Sequence, residues 1–414
     1  MLVALQRAMT KLLLLALVLG ACATDLVENS DTLAEEISTA PDDVPALAAA
    51  PHPRSTALGS GQCPAPTLLP VAGQAGLGVV GDPGSAAGIF DASVVYPSGA
   101  PGGAMAYSSV PDQHSIRTRI ALSATAGASY TYVAEVNTPE LALLTSSDPA
   151  ECPGGFCLGY LISEVSSLIF DATDPNPATR WKLYAHRYLA EANNRLHYRL
   201  GTIVVQTAAA PQGLWTAPRK VFGLPSPSPY TTSGAQVDAS RLAGMADCIA
   251  LSEPSALWRP ERIDLAMGCV YLAGTTPKIR IVRVRTLDHG RTWVGLGTVM
   301  VPGDADCLPG TTPGASVNAA DLFLGPDGVE YMSATSSDPL YHGCAVYKVA
   351  NPLTGQIERT ASGAPRVVRT IAADTGQFAG ACTFSTGGGG YLMSVGFLDS
   401  SRPFRLFYAG VTAP

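Results

Sequence analysis

Three acidic residues lie at or near the start of successive segments that are rich in β-forming residues. Asp91 lies in Phe90–Ser93, Glu164 opens Glu164–Leu168, and Glu253 lies in Ser252–Ser255. Carboxyl groups that a fold brings together can share the work of general acid and general base. The alternative is that each one caps backbone amides at the start of a strand or is merely solvated.

The segments that must position these residues are short and extended. From about residue 78 onward, short β-rich runs are separated by turn residues, and no amphipathic helix of three turns is found. This pattern predicts an all-β sandwich, barrel or propeller.

One turn motif decides among these folds. Thr286–Trp293 follows a candidate strand and resembles the Asp-box, S/T-x-D-x-G-x-T-W, of sialidases and other β-propellers. Within it, Asp288 can accept backbone N–H bonds and Gly290 can supply a positive φ, while Trp293 packs between strands. Degenerate forms recur at Ser123–Tyr130 and, more weakly, near residues 213–215 and 351–355. Asp-boxes are structural, so they indicate a propeller and not its chemistry.

Candidate inner strands give the number of blades. Their polar starts are Phe90–Ser93, Glu164–Leu168, Ser252–Ser255, Ala319–Leu322 and a segment near Gly380–Cys382. We therefore predict a five-bladed propeller, with a six-bladed, sialidase-like propeller as the alternative. Because inner strands run along the central channel, Asp91, Glu164 and Glu253 would meet at one mouth.

This arrangement resembles the five-bladed glycoside hydrolases of the arabinanase and β-xylosidase family, family 43. The resemblance implies Asp91 as base on blade one, Glu253 as acid on blade three and Glu164 as the pKa-setting residue on blade two. Glu164 stands where the family has Asp, with Asp171 as fallback, and Ala92 stands where Pro is usual. It also implies a glycan or oligosaccharide partner and allows a channel Ca²⁺, whereas the residues themselves predict no metal site or other cofactor.

The implied chemistry is inverting hydrolysis. A base activates water and an acid protonates the leaving oxygen from about 6.5–9.5 Å away. A third carboxylate raises the pKa of the acid by like-charge repulsion.

Aromatic and basic residues near these segments are candidates for binding sugar. Aromatic faces stack on sugar rings and arginine forks bind hydroxyls or carboxylates. The candidates are Tyr184, His186, Arg187, Trp258 and Arg262. The alternative is that they are core aromatics and exposed basic tips.

Two other functions remain open. A sialidase-like hydrolase needs an arginine triad, and the nearest match to its first arginine is Arg119, which we expect on a third strand facing away from the channel. A non-catalytic glycan- or protein-binding propeller would have carboxylates that fail to converge.

The N-terminal segment predicts export and lipidation. Arg7 and Lys11 precede the apolar run Leu12–Leu19, which is too short to span a bilayer, and Gly20-Ala21-Cys22 follows. The pattern resembles a bacterial lipobox, so we expect residues 1–21 to be a signal peptide and Cys22 to be acylated, anchoring the protein at the outer membrane. The alternative is ordinary secretion. Residues 22–75 read as an acidic, Ala- and Pro-rich tether, and residues 76–414 as the propeller.

The other eight cysteines predict disulfides, because their number is even and the compartment is oxidising. They are Cys63, Cys152, Cys157, Cys248, Cys269, Cys307, Cys344 and Cys382. Eight cysteines allow 105 pairings. Our working pairing is Cys152–Cys157, Cys248–Cys269, Cys307–Cys344 and Cys63–Cys382.

Composition excludes some partners. The chain has 414 residues, a net charge of −7 and 14% charged residues, against about 25% in an average soluble protein. With few lysines and an acidic balance, the chain is not expected to bind nucleic acid. We expect a monomer.

Overall fold

The computed structural model describes residues 63–71, 74–85, 88–97, 102–112, 115–193, 195–338, 340–374, 378–385, 390–396 and 404–409. The predicted signal peptide, Cys22 and most of the predicted tether lie outside these residues. No helix within the described part has both the length and the apolar character needed to cross a membrane.

The described strands form five sheets, which are the blades of a propeller. Strand β1 (Thr67–Leu69) belongs to blade 4. Blade 1 contains β2 (Val79–Val80), β3 (Gly88–Val95), β4 (Gly103–Asp112), β5 (Ser115–Ser123) and β6 (Tyr130–Asn137). Blade 2 contains β7 (Glu140–Thr145), β8 (Phe156–Phe170), β9 (Trp181–Ala190), β10 (Leu196–Ala208), β11 (Arg219–Gly223) and β12 (Val237–Asp238).

The remaining blades follow in chain order. Blade 3 contains β13 (Ala250–Arg259), β14 (Arg262–Ala273), β15 (Thr276–Thr286) and β16 (Val294–Met300). Blade 4 adds β17 (Ser316–Leu324), β18 (Glu330–Asp338), β19 (Leu340–Tyr341), β20 (Cys344–Asn351), β21 (Gln356–Ile357) and β22 (Val367–Ala373). Blade 5 contains β23 (Phe378–Ser385), β24 (Gly390–Gly396) and β25 (Arg405–Ala409). The helices are short: α1 (Pro229–Thr232) and 3₁₀ turns at Pro177–Thr179 and Ala239–Arg241.

The inner strands β3, β8, β13, β17 and β23 each contact the next, and β23 contacts β3, so the ring is closed. The prediction of a five-bladed propeller is confirmed, and the six-bladed alternative is wrong. Each predicted polar start lies inside an inner strand and not at its first residue; in blade 2, Glu164 comes eight residues after the start of β8 at Phe156.

Hydrophobic cores lie between neighbouring blades, because each sheet is buried on both faces. In β14, Leu265 and Met267 pack toward blade 2, whereas Ala266 packs toward blade 4. Alternate residues of one strand thus enter two different cores, as the two-residue period of a strand requires. Sheets buried on both faces leave little room for charge, which explains the low charged fraction of the chain.

The N-terminal segment holds the ring where it closes. Strand β1 pairs in parallel with β22 of blade 4, the backbone N–H of Leu77 donates to the Leu406 carbonyl of blade 5 (2.7 Å), and β2 pairs in parallel with β6 of blade 1. The N–H of Ile89 donates to the Phe404 carbonyl (3.1 Å). Strand β1 therefore lies inside the range that we expected to be tether, yet it is part of the propeller.

The structure contains four disulfides, and two of the four working pairs are correct. Cys152–Cys157 and Cys248–Cys269 form as expected. The other two pairs are wrong: the bonds are Cys63–Cys307 and Cys344–Cys382. Cys63 lies just before β1, which runs along blade 4, so it meets the loop that enters that blade. Cys344 and Cys382 both face the core between blades 4 and 5.

The turn between β15 and β16 has the hydrogen bonds that its sequence predicts. Asp288 Oδ1 accepts from the backbone N–H groups of Arg291 (3.0 Å) and Thr292 (2.8 Å), and Trp293 is buried. Gly290 has φ 91°. The corresponding turn in blade 1 is built alike: Thr125 Oγ1 accepts from the N–H of Ser129 (2.9 Å).

Candidate active site

Every inner strand has the same irregularity in its pairing with the second strand of its blade. One residue in each irregularity has a left-handed backbone with φ between 47° and 49°; these residues are Asp91, Val165, Glu253, Ala319 and Ala381. Asp91 and Glu253 therefore occupy equivalent positions in blades 1 and 3. Glu164 directly precedes the equivalent residue of blade 2.

The three predicted carboxylates converge inside the ring. Burial and, after it, the charges of Glu164 and Glu253 raise the pKa of Asp91; burial and, to a smaller extent, the charge of Glu253 raise that of Glu164. All three side chains are buried, with residue exposures of 8% for Asp91, 5% for Glu164 and 8% for Glu253. Each has one buried oxygen without a hydrogen-bond partner among the described residues: Asp91 Oδ2, Glu164 Oε2 and Glu253 Oε2.

Two tyrosines hold the other oxygens of the glutamates. Tyr188 Oη donates to Glu164 Oε1 (2.6 Å), and Tyr341 Oη donates to Glu253 Oε1 (2.9 Å). Asn318 Nδ2 in turn donates to Tyr341 Oη (2.9 Å). The sequence analysis missed these residues. Tyr188 could have been found, because it lies two residues after His186 on the same strand face, whereas Tyr341 comes from blade 4 and left no local signal.

Burial controls the protonation of the cluster. It raises the pKa of Asp91 well above its usual value. It raises the pKa of Glu164 to about 7 and that of Glu253 to about 7, although the tyrosine hydrogen bonds oppose both shifts. Ionising all of several buried carboxyl groups that lie close to one another costs much free energy, so the cluster retains a proton near neutral pH.

A small cavity lies along the channel and is lined by the irregular segments of all five inner strands, including Asp91 and Asp321. Its volume of about 30 Å³ has room for one or two waters and is far too small for a sugar ring. Asp321 Oδ1 accepts from Ser255 Oγ (3.0 Å), and burial raises the pKa of Asp321 to about 6. A glycan would therefore have to bind at the mouth of the channel.

Of the five predicted sugar-binding residues, His186 is the one that the structure brings to the carboxylates. It pairs with Glu164 across the strands and stacks on Tyr188, with ring centroids 4.8 Å apart. Burial lowers the pKa of His186 to about 3, so the ring is neutral. Its Nε2 atom is buried and has no hydrogen-bond partner among the described residues.

The other four candidates lie elsewhere. Tyr184 packs on Trp293 between blades 2 and 3, and Trp258 Nε1 donates to Asp171 (2.9 Å). Arg187 points to the opposite strand face from His186 and pairs with Glu140 (2.5 Å). Arg262 joins a buried ion cluster with Asp264 and Glu330 (2.7 and 3.1 Å).

The fallback residue Asp171 also lies outside the cluster. Asp171, Asp174 and His289 approach one another closely enough to hold a metal ion. However, Lys182 Nζ lies between the two carboxylates, 3.4 Å from Asp171 and 2.5 Å from Asp174. Because the buried ammonium group of Lys182 lies there, we describe Asp171, Asp174 and His289 as part of an ion network and not as a metal site.

The expectation for Arg119 is met. It lies on β5, the third strand of blade 1, and pairs with Asp82 and Glu135, at 3.0 Å in each case. Its guanidinium is therefore directed away from the channel, and it cannot serve as the first member of a channel arginine triad.

The calcium ion that the resemblance allows stays a prediction. Calcium takes six to eight oxygens. The hydroxyl oxygens of Ser93, Ser167 and Ser255 accept backbone N–H groups of the next blade (3.0, 2.8 and 2.9 Å). Among the described residues, unpartnered oxygens remain on the three carboxylates and on Ser166, which lines the cavity, and we derive no step through a metal.

No protein-family model matches this chain, and no curated protein matches it in sequence. A solved sucrose-6-phosphate hydrolase from Lactobacillus gasseri is similar in fold, with 9% identity and a TM-score of 0.46 over 78% of this chain; our chain spans 58% of its length. A thermostable family-43 glycoside hydrolase has 12% identity and a TM-score of 0.48, covering 81% of this chain and 95% of that one. An endo-arabinase from Bacteroides thetaiotaomicron has 13% identity and a TM-score of 0.43, covering 78% and 94%. At such identities the likeness concerns the fold, so the functional argument rests on the site.

Proposed function

We propose that this protein is a glycoside hydrolase that acts by an inverting, two-carboxylate mechanism. The observation that carries the proposal is the convergence of Asp91, Glu164 and Glu253, three buried carboxyl groups that each keep one unpartnered oxygen. Structural carboxylates in a core usually have all their oxygens satisfied. Asp306 also has such an oxygen, but Asp91, Glu164 and Glu253 come from three successive blades and lie within range of one another's charge.

In this mechanism Glu253 is the general acid. Its pKa of about 7 leaves it partly protonated at neutral pH, as proton donation to a leaving oxygen requires. Asp91 is the general base, and it lines the cavity that has room for one or two waters. Glu164 acts on the base and not, as the sequence analysis expected, on the acid: after burial, its charge raises the pKa of Asp91, whereas the raised pKa of Glu253 comes from burial.

The base must be ionised when the acid is protonated. Because the three buried carboxyl groups cannot all be ionised at neutral pH, the ionisation of Asp91 and the protonation of Glu253 depend on each other. Asp91 lies between two opposing requirements, since burial favours its neutral form while the reaction needs its anion. A water in the cavity that donates to Asp91 would favour the anion.

The test is a screen of aryl glycosides with wild-type protein, Glu253→Gln and Asp91→Asn. The control is Glu261→Gln, which removes a carboxylate whose side chain is 59% exposed and has no role in the proposed reaction. We expect hydrolysis by wild type and the control, and loss of about 10²–10⁴-fold in either site variant. NMR of the first-formed anomer tests inversion: retained configuration would contradict the mechanism, and equal rates in all variants would contradict the site.

A binding protein without catalysis is the second candidate. The observation in its favour is the cluster of the aromatic rings of His186, Tyr188 and Tyr198 next to Glu164, with centroids 4.7–5.8 Å apart. Glycan binding without turnover of any aryl glycoside would support it.

We also propose that Cys22 is acylated and anchors the protein at the bacterial outer membrane. The basis is the Leu19-Gly20-Ala21-Cys22 sequence. Incorporation of labelled palmitate into wild type, with loss in Cys22→Ser and retention in Cys63→Ser, tests the proposal. Equal labelling of the Cys22 variant would refute it.

A further inference from the structure

Two cysteines and a histidine meet at one end of blade 2. Strand β7 pairs with the first part of β8, with Cys152 in the connecting turn and Cys157 in β8. A ring nitrogen of His197, on β10, and the two Sγ atoms all lie within 4.8 Å of one another. The three residues are buried, with exposures of 0% for Cys152 and His197 and 3% for Cys157. Because His197 lies far from both cysteines in the sequence, no sequence motif indicates this cluster.

Two glutamates complete the surroundings of His197. Glu151 Oε2 lies 3.2 Å from Nδ1, and Glu191 Oε1 lies 3.0 Å from Nε2. Whichever ring nitrogen faces the sulfurs, one carboxylate therefore lies beside it and a second carboxylate lies beside the other nitrogen. A histidine that binds a metal usually donates its other N–H to a carboxylate in this way, which fixes the orientation of the ring.

The cluster offers the ligands that zinc prefers. Zn²⁺ binds four ligands in a tetrahedron and takes thiolate sulfur, imidazole nitrogen and carboxylate oxygen. Two sulfurs, one ring nitrogen and one glutamate oxygen make a full set. Ligand atoms around one zinc lie about 3.3–3.8 Å apart, so the sulfurs and the nitrogen are already close to the required spacing. Ca²⁺ and Mg²⁺ take oxygen ligands and are poorer occupants.

The two sulfurs form a disulfide in the structure, and the thiolate is the form of cysteine that binds a metal. Zinc can therefore bind only after reduction. A dithiol supplies the two electrons: its own sulfurs become a disulfide, and Cys152 and Cys157 take up two electrons and two protons. Zn²⁺ then displaces both thiol protons to water. Oxidation and zinc binding thus exclude each other at this cluster.

This disulfide is the one of the four whose opening should disturb the fold least. It joins cysteines 5 residues apart, against 21, 38 and 244 for the others, and short loops constrain the unfolded chain least. The intervening residues, Pro153–Phe156, are exposed, so a dithiol can approach and the turn can rearrange as the sulfurs separate. Both cysteines also lie in an apolar core with Leu161 and Leu189, which does not depend on the bond.

We infer that Cys152, Cys157 and His197, together with a glutamate, form a zinc site that becomes available when the disulfide is reduced. The disulfide fixes the turn in the oxidised protein, and zinc fixes it in the reduced protein. The inference is independent of the proposed hydrolase activity, because Cys157 lies about 23 Å along β8 from Glu164 at a rise of about 3.3 Å per residue. The alternative is that His197 only joins Glu151 and Glu191 in a buried ion network beside a permanent disulfide.

The experiment reduces the folded, full-length protein with dithiothreitol, removes the reagent in the absence of oxygen, and titrates Zn²⁺ by calorimetry. Near-UV circular dichroism checks that the fold is kept. A parallel titration uses Co²⁺, because its absorption bands report thiolate ligands and tetrahedral geometry. Alkylation of free thiols, followed by mass spectrometry, identifies the cysteines that the metal protects.

The variants separate the ligands from their surroundings. His197→Gln removes the nitrogen ligand, and Glu151→Gln and Glu191→Gln each remove one carboxylate. Glu140→Gln is the matched control, since Glu140 lies on β7 and pairs with Arg187. The Cys248–Cys269 pair is a control within the same molecule, because the described residues place no third metal ligand near it.

We expect reduced wild type to bind one Zn²⁺, to protect Cys152 and Cys157 from alkylation and to show the Co²⁺–thiolate bands, whereas the oxidised protein shows none of these. Glu151→Gln and Glu191→Gln should each weaken zinc binding by about 10- to 100-fold, and His197→Gln should weaken it more. Glu140→Gln should keep the wild-type affinity. If His197→Gln does not fold, the two glutamate variants decide.

Three outcomes would overturn the inference. The first is a folded, reduced protein in which zinc leaves Cys152 and Cys157 open to alkylation. The second is wild-type zinc affinity in all the folded variants that lack a ligand or its carboxylate partner. The third is a Cys152–Cys157 bond that stays intact under every reducing condition that preserves the fold.

Discussion

Blades 1 and 3 differ from blades 4 and 5 at one position of the same backbone. All four have a residue at φ 47–49° in the irregular segment of the inner strand. In blades 1 and 3 this residue is Asp91 or Glu253, and in blades 4 and 5 it is Ala319 or Ala381. A left-handed conformation is unfavourable for any residue with a Cβ, so four copies of it mark a requirement of the fold.

The comparison separates architecture from chemistry. The irregularity turns the strand so that its next residues reach the neighbouring blade, as Ser93 and Ser255 do through their hydroxyls. The carboxylates of Asp91 and Glu253 stand at positions whose backbone the fold already determines. The alanines show that the same backbone exists without any reactive group.

The largest expected effect concerns the carboxylates of blades 1 and 3. Asp91→Asn and Glu253→Gln should each lower kcat/KM by about 10²–10⁴-fold, because each removes a proton-transfer group. Ala319→Gly, at the equivalent place in blade 4, should leave kcat/KM unchanged. Steady-state kinetics on a hydrolysed aryl glycoside check this. Comparable losses of kcat/KM in all three variants would contradict the difference that we draw between the acidic positions and the alanine position.

The second prediction concerns blade 2, where Glu164 precedes the left-handed residue. A carboxyl group whose pKa rises from 4.5 to about 7 on folding gives full stability below pH 4.5 and loses it as the pH rises to about 7. Glu164→Gln should therefore raise the free energy of unfolding at pH 8 by about 3 kcal/mol, with little gain at pH 4. Denaturant unfolding at both pH values measures this.

The matched control for that measurement is Glu261→Gln, which removes an exposed carboxylate. An equal gain at both pH values in the Glu164 variant would show that its charge is not the cause.

The third prediction concerns the hydrogen bond from blade 4 to the acid of blade 3. Tyr341 lowers the pKa of Glu253 by donating to it, so Tyr341→Phe should move the alkaline limb of the pH–rate profile above its expected midpoint near pH 7. The displacement should be about one pH unit or less, as one hydrogen bond to a charged group allows. Tyr347→Phe is the control, because Tyr347 donates to the Asp304 carbonyl (2.7 Å); a limb that stays in place in the Tyr341 variant would argue against Glu253 as acid.

The smallest expected effect concerns the backbone of blade 5. Ala381→Gly should stabilise the fold by about 1 kcal/mol, since glycine accepts the left-handed conformation freely. Ala379→Gly in the same strand should destabilise it by about 1 kcal/mol. Thermal unfolding measures both, and a loss in both variants would show that the left-handed backbone at Ala381 carries no strain.

The sequence predicts the blade number and the carboxylate cluster because both follow from local pattern. Polar segments such as Ser252–Ser255 recur once per blade inside the inner strands, and the ring brings them together. It could not predict the partners of those carboxylates. Tyr341 of blade 4 contacts Glu253 of the adjacent blade 3, and nothing in the residues next to Tyr341 in the sequence indicates that contact.

The failures elsewhere have the same physical origin. Alternation puts Tyr184 and His186 on one face of β9, yet it does not say that only His186 lies beside a carboxylate while Tyr184 packs between blades 2 and 3. The pairing of Cys63 depends on the path of β1 along blade 4, and a three-residue edge strand has too few residues to be read from its pattern. Contacts between distant segments are thus the part that pattern alone does not reach.

The Cys63–Cys307 bond determines how the molecule would respond to a mechanical load. A pull on the N-terminal end reaches Cys63 before it reaches β1 or β2. It then passes through the disulfide to Cys307, in the loop between blades 3 and 4. The parallel strands that cover the closure of the ring are shielded from that force while the bond is oxidised, and reduction would transfer the load to the edge pairing of β1.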